Sequence, residues 1–153
     1  MPLADVLYAC DGKWWNKYYE ATNKFLGERW TQDIATRHKY NINWVYGVSK
    51  RGLGRDCVHF GDNSGYQAIN LAFLWGAKRI VLLGFDCKPV GGKDHWFGQH
   101  PQGLVQIQPY QLWLNSFPHI AKDLEAEGVD VINCSPDTAL TCFRKADIEK
   151  ITC

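Results

Sequence analysis

The chain has 153 residues, 46% of them hydrophobic and 22% charged, with a formal net charge of +1. This is the composition of an ordinary globular protein, expected to fold as a single domain spanning 1–153 around its own core. A balance so close to neutral excludes a general electrostatic pull toward nucleic acid or an anionic membrane surface, and no run reaches the ~20 apolar residues of a membrane-spanning helix.

In chain order, ADVLYAC (4–10) reads as a short buried strand that Asp11 and Gly12 close with turn chemistry. Asp11 has two readings: a strand-end carboxylate facing a ligand crevice, or the cap of the next helix. Residues 14–25 form a predicted helix with Trp14 and Tyr18 on one face and Trp15 and Tyr19 beside them. The stretch 27–40 is polar and irregular and reads as loop, with a short strand at 29–31. Residues 43–48 form a further strand at a sheet edge. The loop 50–55 is basic and contains glycine; it suits a phosphate grip or, as we favour, a solvated turn. Residues 57–60 then lead as a short strand into the central unit.

That unit, residues 60–100, organises the chain. Asn63, Ser64 and Gly65 stand at a predicted helix start, 66–75 is almost wholly apolar, and Gly76 stops the helix. Residues 79–85 are a continuous apolar run, the pattern of a parallel strand buried on both faces, and Asp86 follows at its carboxyl end. Open α/β sheets bind ligands at such ends, and helix N-termini offer free N–H groups to a phosphate. Beyond the loop carrying His95 and His100, residues 110–127 form a long helix that Pro118 kinks or splits. Residues 129–134 are another strand, 135–138 a turn, and 140–151 an extended piece with a short terminal helix. Strands and helices in this order predict an α/β fold with a mainly parallel sheet.

Two constellations carry chemistry. Asn63, Ser64 and Gly65 offer backbone N–H groups, a hydroxyl and an amide as a phosphate or sugar cradle; the plain alternative is an ordinary helix cap. The sequence has neither a Walker P-loop nor a GxGxxG fingerprint. The second groups Asp86, Asp94, His95 and His100, with Gly91, Gly92 and Gly98 between and beside them. A histidine can act as general base and a carboxylate can hold Mg²⁺; the alternative is a polar surface loop. His38, His59 and His119 read as structural. Six cysteines (Cys10, Cys57, Cys87, Cys134, Cys142 and Cys153) show no CxxC or zinc-like spacing. MPLADVLYAC has no basic leader or adequate apolar h-region, so reduced thiols in a cytoplasmic protein are expected.

NSGYQAINLAFLWGAKRIVLLGFD resembles a stretch of the MptE-like, 6-hydroxymethylpterin diphosphokinase-like group of Rossmann-related proteins. Similar segments occur in bacterial sialyltransferases, where a Ser-Gly helix start precedes a strand ending in G-x-D. ADVLYACDGKWW, GGKDHWFGQHP and VINCSPDTALTCF, taken with the NSG helix, resemble a group of phage-encoded proteins over nearly the whole chain. The resemblance implies a Rossmann-like three-layer domain that binds a nucleotide or nucleotide-sugar, by itself or as a homo-oligomer, in the cytoplasm of a phage host. It implies glycosyl or diphosphoryl transfer, with Ser64 and Gly65 on the nucleotide donor, His95 as candidate general base and Asp86 as candidate Mg²⁺ ligand. Asn63, Asp11 and His100 complete the candidate ligand set. Members of these groups usually begin with a strand and a G-x-G-P-S-like turn, half of the nucleotide site, which this sequence does not show. A non-catalytic protein that sequesters a nucleotide-type ligand, or a structural interaction module, is therefore carried as the alternative.

Overall fold

The computed structural model describes residues 4–94, 103–104 and 109–151. They fall into two compact units, one running to Gly47 with 103–104, the other from Val48 onward. His95 and His100 lie outside the described residues.

The first unit is a three-stranded parallel sheet with helices between its strands. β1 (Val6–Tyr8) pairs with β2 (Glu28–Thr31), which pairs with β3 (Asn43–Trp44) at the opposite edge. The predicted helix after Asp11 is two pieces, α1 (Gly12–Tyr18) and a 3-10 turn (Glu20–Lys24). Trp15 is fully buried, and its indole N–H donates to the Ala9 carbonyl at 2.9 Å, fixing α1 against the end of β1. The stretch read as loop holds a second helix, α2 (Ile34–Tyr40). Asp33 caps it by accepting from the Thr36 N–H at 2.6 Å, Arg37, His38 and Lys39 face its negative end, and Asn41 ends it at φ 50°.

The second unit holds the main core. β4 (Gly47–Val48), whose second residue begins this unit, pairs with β5 (Val58–His59). α3 (Ser64–Leu74) follows, then β6 (Arg79–Leu82), α4 (Tyr110–Ala126), β7 (Asp130–Asn133), β8 (Arg144–Lys145) and a 3-10 turn (Ile148–Lys150). β6, β7 and β8 form a parallel sheet in that order, with Ile80 opposite Val131 and Ile132 opposite Arg144. The strand expected over 79–85 stops at Leu82: Leu83 is 63% exposed and Gly84 turns the chain at φ 73°. Pro118 neither splits nor ends α4, which continues through it to Ala126. The helix lays Phe117, Ile120 and Leu124 on the core, where Phe117 meets Tyr66, Phe85 and Phe143 at ring distances of 5.5 to 6.2 Å.

The strand pairs with a described register in the two three-stranded sheets are all parallel, so the fold is α/β with parallel sheets. No described helix is long and apolar enough to cross a membrane. The five described cysteines are free thiols.

Candidate functional site

The loop 50–55 proves to be a turn whose polar groups are used internally. Gly52 sits at φ 80°, its carbonyl accepts from the Tyr66 hydroxyl at 2.9 Å, and the Leu53 N–H donates to Asp123 at 2.8 Å. Fully buried Asn70 grips the same loop: its Oδ1 accepts from the Gly54 and His59 N–H groups, both at 3.0 Å, and its Nδ2 donates to the Gly54 carbonyl at 2.8 Å. His59 turns Nδ1 toward the Arg51 and Gly52 carbonyls, which requires a proton on that nitrogen and suits a structural histidine. Arg51 pairs with Asp62 and Arg55 with Glu127, so both guanidinium groups meet carboxylates.

At the start of α3, Asn63 is the helix cap. Its Oδ1 accepts from the Gly65 N–H at 2.7 Å and the Tyr66 N–H at 3.1 Å, spending two donors that an anion cradle would use. Gly65 has a packing reason of its own: a Cβ there would lie 2.7 Å from the Phe85 ring. Gly65→Ala should therefore cost about 1–3 kcal/mol by overpacking, read as a lower urea midpoint; an unchanged midpoint would show that the ring has room to move. Ser64 is the first helical residue and is exposed.

The chain after β6 is pinned from the turn after β7. The Phe85 N–H donates to Ser135 Oγ at 2.7 Å, the Thr138 hydroxyl donates to the Phe85 carbonyl at 2.6 Å, and the Ala139 N–H donates to the Asp86 carbonyl at 2.8 Å. Buried Asn133, the last residue of β7, orients this clamp through Ser135 N–H and Thr138 Oγ1. Lys88 pairs with Asp137 across the same junction.

This geometry opens a cleft of about 230 Å³ at the carboxyl end of β6. Asn63 and Gly65 line it from the start of α3, Phe85, Asp86, Cys87 and Lys88 from the strand end, Asp94 from the loop, and Tyr110 and Trp113 from the start of α4. The Tyr110 hydroxyl donates to Asp94 Oδ1 at 3.1 Å. Burial, the bond to Asp94 and that carboxylate's charge push the Tyr110 hydroxyl up to about 12, with Cys87 and Asp86 adding to the rise. Tyr110 is therefore a neutral donor through the physiological range. Burial, and then Asp86, push the Cys87 thiol up to about 11, so it is not a nucleophilic thiolate near neutrality. Cys87 also holds a left-handed φ of 50°, uncommon outside glycine.

Four of the sequence candidates, Asn63, Gly65, Asp86 and Asp94, thus meet in one cleft of the second unit. Asp11 belongs to the first unit, where it stands at the N-cap of α1: its carbonyl takes the Trp14 N–H at 3.0 Å, while its side chain makes no cap bond. Tyr110 and Trp113 were not among the candidates. Their i, i+3 spacing at the head of a helix brings the rings together edge to face at 5.4 Å, but the same spacing marks an ordinary core stripe. No cluster of three or more His, Cys, Asp or Glu side chains suited to a metal occurs among the described residues. The oxygen donors of Asp86 and Asp94 suit the chemistry of Mg²⁺, which needs only one or two carboxylates beside its waters and substrate oxygens. Comparison with family models, curated proteins and solved structures finds no match to this chain.

Proposed function

We propose that the protein is a Rossmann-like, transferase-type binder of a nucleotide or nucleotide-sugar, and that the cleft at the carboxyl end of β6 is its ligand site. The observation that carries this reading is the meeting of Asn63, Gly65 and Asp86 in that one cleft, where parallel α/β sheets take ligands. Asp86 binds a ligand hydroxyl or a Mg²⁺ that neutralises the diphosphate of a leaving nucleotide. The transfer is glycosyl or diphosphoryl: an acceptor oxygen bonds to the transferred group, the bond to the nucleotide breaks, and a base takes the acceptor proton. His95 is the sequence candidate for that base.

Thermal shift against nucleotides and nucleotide-sugars, each with and without Mg²⁺, tests the reading. A ligand that binds only the folded protein, at ~100 times its Kd, adds about 2.7 kcal/mol to stability. Asp86→Ala should abolish that shift while leaving the unliganded melting temperature within a few degrees. Silence across the whole panel would overturn the nucleotide reading. A shift without turnover, unchanged by His95→Ala, would make the protein a sequestering one.

A further inference from the structure

Resting on that reading of the cleft, and taking the ligand hydroxyl and not Mg²⁺ as the partner of Asp86, we infer that the portion of the ligand seated there is a polyhydroxyl ring, the sugar of a nucleotide-sugar, and that the phosphates lie outside it. Among the described residues the cleft carries two carboxylates, Asp86 and Asp94, and one cation, Lys88, which Asp137 already engages. A bare phosphate placed there meets like charge, and the amides of Gly65 and Tyr66 that would offset it are bound to Asn63. Hydroxyl groups have the opposite preference. A carboxylate is an acceptor-only group that takes hydrogen bonds from neighbouring hydroxyls, and such charge-assisted bonds are the stronger kind.

A separate observation comes from Trp113. Its indole Nε1–H is buried and has no hydrogen-bond partner, on a side chain that lines the cleft. Indole N–H is a donor only, and leaving it unpaired in the folded protein is costly. The donor is closed to a water-sized group in the unliganded protein, so a sugar hydroxyl or ring oxygen pairs with it as the Trp113 side chain shifts on binding, gaining a hydrogen bond without first stripping water from it. Phe85 and Trp113, which line the cleft, supply apolar contact for the C–H face of a sugar ring. At about 230 Å³ the cleft is below the ~300–1,000 Å³ of sites that enclose drug-sized ligands, so it holds a part of a nucleotide-sugar and not the whole.

The test uses the intact chain with nucleotide-sugars and their parent nucleotides, with Mg²⁺ present, and reads both affinity and the Trp113 indole proton by NMR. The indole resonance is assigned by its loss in Trp113→Phe. The nucleotide-sugar should move that resonance downfield and the parent nucleotide should not. Trp113→Phe and Asp94→Asn should each weaken the nucleotide-sugar about tenfold, roughly 1.4 kcal/mol, and leave the parent nucleotide's affinity unchanged. A parent nucleotide that moves the indole proton, or that is weakened equally by both variants, would place phosphate in the cleft and overturn the inference while the nucleotide reading stands. Binding of simple methyl glycosides alone, with the same indole shift, would support the sugar seat and defeat the nucleotide reading. No binding by any of these probes would defeat both.

Discussion

Asn70→Ala should destabilise the protein by about 4 kcal/mol, enough to leave a typical domain of this size marginal. Asn70 is fully buried and holds three backbone groups at once: the N–H and carbonyl of Gly54 and the N–H of His59. Truncation does not merely delete three bonds. It strands two donors and one acceptor beneath α3, and each unsatisfied buried group costs about 1–3 kcal/mol. The loop has little freedom to find other partners, because a Cβ on Gly54 would sit 1.9 Å from the Cys57 carbonyl oxygen. Its backbone is thus already folded tightly against itself. Urea unfolding gives the direct reading. A loss under ~1 kcal/mol would mean that water enters and replaces the amide, and that the loop is held instead by Tyr66 and Asp123. Asn70→Asp is the informative companion: it keeps the acceptor for both N–H groups but loses the donor to Gly54 and buries a charge, so it too should be strongly destabilising.

The same residues show what could be read from the sequence. The α3–β6 unit was legible because an Asn cap, an apolar helix, a glycine stop and an apolar strand follow one another without interruption. Local signals fixed it, and they agree with the tertiary structure. α2 was also written locally, with Asp33 as cap, three basic residues at its end and Asn41 as stop, but its polar surface hides the helical period among exposed positions. The end of β6 departs from the sequence pattern for a different reason. Leu83 and Phe85 continue the apolar pattern, yet Gly84 turns the chain out of the sheet and leaves Leu83 exposed. The clamp that then fixes Asp86 comes from Ser135, Thr138 and Ala139, some fifty residues away, and read in isolation as a plain turn. Tyr110 and Trp113 were invisible as site residues because nothing local distinguishes a cleft wall from a core stripe at the head of an amphipathic helix. Candidate residues on one strand–helix unit were therefore readable, and the walls that complete their cleft were not.

Raising the pH should unfold the protein through groups of that same region. Burial pushes the Cys87 and Cys142 thiols from 9.0 to about 11, and the Tyr66 and Tyr110 hydroxyls from 10.0 to about 12. In each case the folded value lies above the unfolded one, so the unfolded chain releases its proton first. Stability is then fully present below pH 9 and falls as pH rises through the folded values. Each group adds to the slope between its two values, the half-buried Cys87, Cys142 and Tyr110 by well under the ~1.4 kcal/mol per pH unit of a fully protected group. The thiols set the onset near pH 9 and the tyrosines steepen the loss above pH 10. Replacing Cys87 and Cys142 together by Ala should remove most of the loss between pH 9 and 10, leaving there the contribution of the Cys57 thiol, which burial also raises. Urea midpoints measured from pH 7 to 12 on both proteins separate the two contributions. A wild-type midpoint that stays flat to pH 10.5 would mean that water reaches the thiols in the folded state. The link to function runs through Tyr110: a tyrosine is neutral near pH 7 in any case, and the burial and the Asp94 carboxylate extend its range as a donor to Asp94 to higher pH. Tyr110→Phe should accordingly soften the alkaline loss above pH 10 while freeing Asp94 from the partner that positions it in the cleft.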